Sequence, residues 1–124
     1  MKLIRPLLSA LSAAILLVPA GVVRAQCTNV NLFPFDPIIP EPSGLVTEIT
    51  ECNFMLEYSV IAGILQGEDY RFTVSGGAYI TVHQGTSDGP VLGHSYSPLT
   101  VTAATGGDLF AHCNVDSTCT TSSD

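Results

Sequence analysis

The stretch Tyr70–His83, YRFTVSGGAYITVH, decides the fold class. Around Gly76-Gly77, apolar residues stand at every second position: Tyr70, Phe72 and Val74 before the glycines, and Ala78, Ile80 and Val82 after them. Strict alternation places successive side chains on opposite faces of a strand, and a glycine pair between two such runs marks a turn. The stretch therefore predicts two half-buried β-strands.

The same period continues on both sides of this stretch. It runs through Phe54, Leu56, Tyr58 and Val60, through Leu99 and Val101, and through Leu109, Ala111 and Cys113. Residues 51–65 could also be written as one helix, but Gly63 and the alternation before it favour a strand. About seven short strands joined by glycine-rich turns predict an all-β, antiparallel β-sandwich of the jelly-roll or immunoglobulin-like type at residues 45–124.

Residues 26–44 have a different character. Four prolines (Pro34, Pro37, Pro40 and Pro42) alternate with Phe33, Phe35, Ile38 and Ile39. Proline lacks a backbone donor and fixes φ, so this segment is predicted to be an extended arm and not a central strand. The arm either packs along the edge of its own domain or docks on a neighbouring subunit.

The first 25 residues are predicted to be a secretory signal peptide. Lys2 and Arg5 precede the apolar run Leu7–Val23, and Val23-Arg24-Ala25 suits a signal peptidase. A retained anchor fits poorly because of Pro6, Pro19 and Gly21, and a lipidated Cys27 would need a small residue before it. We expect an extracellular or periplasmic protein that leaves the membrane when the signal is removed.

The mature chain would be strongly acidic. Arg71 is its one basic residue against eleven acids, which gives a net charge of −10 for residues 26–124. Nucleic acids and anionic membranes attract basic surfaces, so neither is an expected partner.

All four cysteines fall in the mature chain, at positions 27, 52, 113 and 119. In an exported chain this number indicates disulfides, with three possible connectivities. We favour Cys27–Cys52 and Cys113–Cys119, because the members of each pair are neighbours in sequence. Zinc binding would need C-x-x-C or similar spacing, which the chain lacks.

Half of the mature chain, from Tyr70 to Cys119, has a familiar order of motifs. The motifs are Tyr70 with Phe72, Ile80–Val82, Ser97–Thr100 and Gly107–Leu109. This order resembles the β-sandwich modules repeated in large secreted and surface bacterial proteins, and it is similar in style to the bacterial pre-peptidase C-terminal domain. The resemblance implies a non-catalytic accessory, adhesive or spacer role.

The stretch Gly93-His94-Ser95-Tyr96-Ser97 has a glycine two residues before a serine, as in the nucleophile elbow of hydrolases. An elbow is G-x-S-x-G and turns from a strand into a helix, whereas here Ser97 and Pro98 follow. We interpret Gly93–Ser97 as a loop. Pro98 follows it and sets the entry to a strand at Leu99–Thr102. The three histidines, His83, His94 and His112, lack the spacing of a metal site. His83 and His112 fall on outward strand positions among threonines, where we expect either a solvated histidine or one that contacts a neighbouring strand. We expect no enzyme and no cofactor.

Three predicted loops are the candidates for a ligand: Gln84–Pro90, Gly93–Ser97 and Asn114–Thr118. The residues that could bind are Asp88, His94, Tyr96, Asn114 and Asp116. Loop carboxylates suit calcium, and exposed tyrosines such as Tyr79 and Tyr96 suit a sugar ring.

The sequence therefore predicts a secreted, disulfide-bonded, non-catalytic β-sandwich with a structural or adhesive role. Its partners would be other protein subunits or cell-surface glycans, and it could assemble into homo-oligomers through the arm, because its strands lack protecting lysines. The alternative is a calcium- or carbohydrate-binding module.

Overall fold

The computed structural model of the chain describes residues 26–42, 44–50 and 54–124. These residues form no helix and seven strands. The strands are β1 (Asn31–Leu32), β2 (Glu57–Ile64), β3 (Asp69–Phe72), β4 (Tyr79–Gln84), β5 (Val91–Tyr96), β6 (Leu99–Thr102) and β7 (Gly107–Asn114). The predicted all-β fold is confirmed. The predicted signal peptide, residues 1–25, lies outside the described residues.

The strands form two sheets. One has five strands in the order β1-β2-β7-β4-β5, and in the other β3 pairs with β6. Among the described strands, β1 and β2 are parallel and the other pairs are antiparallel. The two sheets share one apolar core, which makes the arrangement sandwich-like.

The core lies between the inner face of the larger sheet and the smaller sheet. Its residues are Ile61, Ile64, Phe72, Ile80, Val82, Leu99, Val101, Ala103, Leu109 and Ala111. Val82 and Leu109 are fully buried. Complete burial of one such side chain contributes about 1.5–3 kcal/mol, so these contacts hold the two sheets together. The inward positions predicted for β4, β6 and β7 are confirmed.

In β2 the predicted inward set is wrong by one residue. Ser59 pairs with Ala111 on the inner face, and Tyr58 and Val60 therefore face the other side of the sheet. A period of two fixes the alternation but not which set faces the core, and here both faces of β2 carry apolar residues. Gly63, with φ of +71°, sits in a bulge where the pairing register with β7 shifts.

The predicted loop at Gly93–Ser97 is mostly strand, because β5 continues to Tyr96. A Cβ atom on Gly93 would lie 2.9 Å from Cγ1 of Val101 and 3.4 Å from Cδ1 of Leu99. Glycine at this position therefore lets β6 cross closely over β5. Pro98 precedes β6, which spans the predicted residues Leu99–Thr102.

The arm lies along the edge of β2 of its own chain. After β1 pairs with β2, the Ile38 N–H donates to the Val60 carbonyl at 2.9 Å, and the Ile38 carbonyl accepts the Ala62 N–H at 2.8 Å. Pro34 and Pro37 fall between these two pairing points, where no backbone donor is required.

The favoured disulfide pairing, Cys27–Cys52 with Cys113–Cys119, is wrong. Cys27 is bonded to Cys119, with a Cα–Cα distance of 5.2 Å across a sequence separation of 92. Nearness in sequence is a poor guide here, because the residues after Cys27 cross the sheet and bring it beside the turn that follows β7. Cys52 lies outside the described residues.

Within the part of the chain that the structure describes, no helix is long and apolar enough to cross a membrane.

Candidate functional site

The outer face of the five-stranded sheet, which is turned away from β3 and β6, is partly covered by residues 26–30, here called the N-terminal segment. One row of residues paired across this face is Tyr58, His112, Thr81 and His94. Of the two alternatives predicted for His83 and His112, the solvated one is wrong, because they are 4% and 0% exposed, and the cross-strand one is confirmed, because their rings contact each other across β4 and β7. The outward side of a strand is buried here because a second layer of chain lies over it.

Asn29 holds the N-terminal segment on this face. Its side-chain Nδ2 donates to the carbonyls of Glu57 and Cys113, both at 2.9 Å, and its Oδ1 accepts a bond from Asn114 Nδ2 at 3.1 Å. Asn114 Nδ2 also donates to the Cys119 carbonyl at 3.3 Å. These bonds stand next to the disulfide, so the disulfide and the amides fix the same piece of chain.

His112 lies in the middle of the covered face. Its Nδ1 accepts the backbone N–H of Asn29 at 2.8 Å. Its ring stacks on Tyr58 with centroids 5.1 Å apart and meets His83 edge-on at 4.8 Å. Burial, reinforced by the nearby His83 and opposed by the backbone of Ser87, lowers the pKa of His112 to about 4. The ring is therefore neutral at neutral pH.

His83 joins two segments that cover the sheet. Its Nδ1 is 2.7 Å from the carbonyl of Gly89, and its Nε2 is 3.2 Å from the carbonyl of Cys27. A neutral ring carries one N–H and donates to one of these carbonyls at a time. In either tautomer the side chain ties the β4–β5 loop or the N-terminal segment to the sheet.

We call Asn29, Thr81, His83, His112 and Asn114 the polar cluster. Three of its atoms have no hydrogen-bond partner within the described part of the chain: Thr81 Oγ1, His112 Nε2 and Asn114 Oδ1. The three residues are fully buried.

A group of three rings, here called the aromatic cluster, lies beside the polar cluster on β4 and β5, with its β4 ring buried and its two β5 rings exposed. It consists of Tyr79, His94 and Tyr96. The Tyr79 hydroxyl is hydrogen-bonded to Nδ1 of His94, and the Tyr79 and Tyr96 rings meet edge-to-face with centroids 5.1 Å apart. Tyr96 is 54% exposed, so one ring of a held pair faces solvent.

The predicted ligand residues do not form one site. His94 and Tyr96 belong to β5 and Asn114 ends β7, so none of the three lies in a loop as predicted. Tyr96 and Asn114 are both paired with Tyr79, which places them at one end of the sheet. Asp88 lies in the loop after β4, at the opposite end.

Asp116 caps its own turn. Its Oδ1 accepts the backbone N–H of Thr118 at 3.0 Å, the Thr118 hydroxyl at 2.6 Å and the Thr120 N–H at 3.3 Å. These bonds, the Thr118 hydroxyl first, hold the pKa of Asp116 below its ordinary value. Among the described residues, no group of three His, Cys, Asp or Glu side chains is arranged to hold a metal ion.

The arm and the residues after it expose large apolar side chains. We call these side chains the arm surface: Val30, Phe35, Ile39, Leu45 and Val46. Phe35 is 79% exposed and Val46 is 95% exposed. A cleft of about 1210 Å³ is lined by Leu45 and Val46 on one side and by residues of the sheets, such as Ile61 and Phe72, on the other.

Comparison with protein-family models, with curated proteins and with solved structures finds no match for this chain. The likeness to bacterial β-sandwich modules therefore stays a prediction, and the function has to be argued from the geometry.

The polar cluster is the feature that sequence reasoning missed. One signal was present: the outward positions Thr81, His83 and His112 carry no Lys, Arg, Asp or Glu. Neutral outward residues on two neighbouring strands are typical of a face that another layer covers. Asn29 gave no such signal, because its role depends on a contact more than 80 residues away along the chain.

Proposed function

We propose that residues 26–124 form a secreted, non-catalytic structural or adhesive protein that associates with a second copy of itself through the arm surface. The observation that carries this proposal is the exposure of five large apolar side chains between Val30 and Val46. The extracellular location is supported by the Cys27–Cys119 disulfide, since such bonds persist in oxidising compartments.

Single exposed apolar residues are ordinary, but a concentration of them in one segment is typical of an interaction surface. Full burial of a Val, Leu, Ile or Phe side chain contributes about 1.5–3 kcal/mol, and association costs about 4–15 kcal/mol. Burial of most of the five side chains of each copy would therefore supply enough free energy for a modest affinity, whereas burial of only a few would not.

The arm surface is held in place before any partner binds. The Cys27–Cys119 disulfide and Asn29 fix its start, and Ile38 is bonded to β2 in its middle. Little ordering is needed on binding, which favours association. Because its start and its middle are fixed, the contact would form between apolar side chains of intact domains and not by exchange of a strand.

The charge of the chain bears on the choice of partner. Only Asp36 and Glu41 are charged between Val30 and Val46, whereas residues 26–124 together carry −10. An apolar patch that contacts its own copy forms a symmetric pair, the commonest kind of protein oligomer. The remaining acids of the two copies repel each other, and salt screens this repulsion over about 8 Å at physiological strength.

The experiment follows the mature chain by size-exclusion chromatography with light scattering, over a range of concentrations and at about 0.05 M and 0.5 M salt. The proposal predicts a dimer or larger oligomer that grows with concentration and is strengthened by salt. A contact made by opposite charges would weaken with salt, and a monomer under every condition would refute the proposal.

A second candidate function is glycan binding by the aromatic cluster. The observation that favours it is the held pair Tyr79 and Tyr96, because a sugar face stacks on a flat, immobile ring and the neighbouring His94 offers a hydrogen bond. A monomeric chain that binds sugars on a glycan array, and loses this binding in Tyr96→Ala, would support the second function over the first.

A further inference from the structure

The cleft that Leu45 and Val46 line lies beside the free edge of β3. Every residue from Glu68 to Ser75 lines it, whereas no residue of β6 is among its described lining residues. The two faces of a strand carry alternate residues, so consecutive residues border one space only where that space lies at the edge of the strand. The cleft is therefore on the side of β3 that does not pair with β6. We call it the β3 groove.

The floor of the β3 groove is the inner face of the larger sheet. Ser59 and Ile61 of β2, Ile80 of β4 and Ala111 of β7 line it. In the described part of the chain the smaller sheet has two strands and the larger sheet has five, so the smaller sheet does not extend over the whole inner face. The groove therefore occupies the position that a third strand of the smaller sheet would take, next to β3.

The size of the β3 groove fits one strand. Its wall from Glu68 to Ser75 is eight residues long. A strand of that length rises about 3.3 Å per residue, lies about 4.8 Å from its neighbour and packs about 10 Å from a facing sheet, which amounts to roughly 1,300 Å³. The groove has a volume of about 1210 Å³.

The backbone of β3 offers hydrogen bonds to such a strand. The Ala103 N–H donates to the Glu68 carbonyl at 3.0 Å, in the same register as the β3–β6 pairs. Alternate residues of an antiparallel strand point their backbone groups to opposite sides. Tyr70 therefore bonds to β6, and the N–H and carbonyl groups of Asp69 and Arg71 point toward the groove.

The charges along the β3 groove select the chemistry of its occupant. Its described lining has four acids and one base, all of them exposed: Glu41, Glu48, Glu68, Asp69 and Arg71. Arg71 is the one basic residue of residues 26–124, so a second copy brings almost no positive charge to meet these acids. Lysine or arginine side chains of a different protein would be attracted to them.

We propose that the β3 groove binds an extended segment of another protein, which pairs with β3 as an added strand. The segment has apolar side chains at every second position, facing Ile61 and Ile80, and lysine or arginine beside the acidic rim. Leu45 and Val46 belong both to this groove and to the arm surface. Binding at the groove weakens as salt rises, whereas self-association through the arm surface strengthens, so either proposal can fail without the other.

Fluorescence anisotropy with synthetic peptides tests the proposal, at protein concentrations at which the chain sediments as a monomer. The probe is a labelled peptide of about eight residues in which valine alternates with threonine, with a lysine added at each end. It is expected to bind, and more weakly as salt rises. The same peptide with glutamate at each end should bind about tenfold more weakly. A version with N-methylated backbone amides should not bind, because it cannot pair with β3.

The variant Glu48→Lys reverses one charge on the wall of the groove. It is expected to weaken binding of the lysine peptide about threefold or more. Asp88→Lys makes the same change in net charge at an exposed position of the β4–β5 loop, which is not among the described lining residues, and is the matched control. Equal weakening by the two variants would overturn the proposal.

Hydrogen exchange reports directly on the pairing. The amides of Asp69 and Arg71 should exchange quickly in the free chain and slowly with the lysine peptide, whereas the Tyr70 amide should exchange slowly in both. A lysine peptide that does not bind, an N-methylated peptide that binds equally well, or unprotected Asp69 and Arg71 amides would overturn the proposal. Protection of these amides in a self-associated chain without peptide would also overturn it, because a second copy would then be the occupant.

Discussion

Mild acid should destabilise this protein through His112. The ring is buried and neutral, and its Nδ1 accepts the Asn29 N–H that holds the N-terminal segment. A proton would have to add at Nδ1, because the neutral ring already carries its hydrogen on Nε2. Protonation would therefore break this bond and place a charge next to His83. Because burial opposes that charge, the pKa of His112 is lowered from 6.5 to about 4 in the folded chain.

The sign and size of the effect follow from these two pKa values. The pKa is lower in the folded chain, so the unfolded chain binds more protons between about pH 6.5 and pH 4. The stabilisation is fully present above about pH 6.5 and is lost as the pH falls toward 4. The difference of about 2.5 between the pKa values corresponds to about 3.4 kcal/mol in total, of which about 2 kcal/mol is lost by pH 5.

Urea unfolding at several pH values between about 7.5 and 5 measures this loss, because most carboxylates stay charged in that range. The free energy of unfolding should fall for the unaltered chain and much less for His112→Gln. The exposed His94→Gln variant should follow the unaltered chain. Neutralised acids relieve the net charge of −10, which acts in the opposite direction. If the unaltered chain and His112→Gln had the same pH dependence, the reasoning would be refuted.

Two further predictions concern the disulfide and the strand crossing. Peptide mapping without reductant should recover Cys27 joined to Cys119, and recovery of any other partner for Cys27 would contradict this pairing. The variant Cys119→Ser should have a free energy of unfolding lower by about 4.5 kcal/mol, because the bond closes a loop with a sequence separation of 92. Gly93→Ala should lower the free energy of unfolding in urea by about 1–3 kcal/mol, because the added Cβ would lie 2.9 Å from Val101. Ser95→Ala, on the same strand, is the control. Equal stability of the two variants would show that β6 does not cross β5 closely at Gly93.

The sequence was sufficient for the strands that carry apolar residues on one face and mostly polar residues on the other. The runs around Ile80, Val101 and Leu109 alternate cleanly, and their apolar sets face the core as predicted. It was insufficient where a strand carries apolar residues on both faces. In β2 both Ile61 and Tyr58 belong to covered surfaces, so the alternation could not indicate which set faced the smaller sheet.

The disulfide and the polar cluster could not be predicted for a different reason. Both depend on the path of the N-terminal segment, which returns across the outer face to meet β7 from the far end of the chain. No local pattern at Cys27 or Asn29 encodes that path. The relative positions of the candidate ligand residues could not be predicted either, since Asp88 and Asp116 are at opposite ends of a sheet whose strand order the sequence did not specify.

The most direct test of the account is sedimentation velocity on the mature chain beside the double variant Phe35→Ser and Val46→Ser. Both side chains are largely exposed, so the variant should keep the stability of the single domain. Val115→Ser, which alters an exposed valine outside the arm, is the matched control. The account predicts association for the unaltered chain and the control, and a monomer for the double variant. An unaltered chain that stays monomeric, or a double variant that associates equally well, would contradict it.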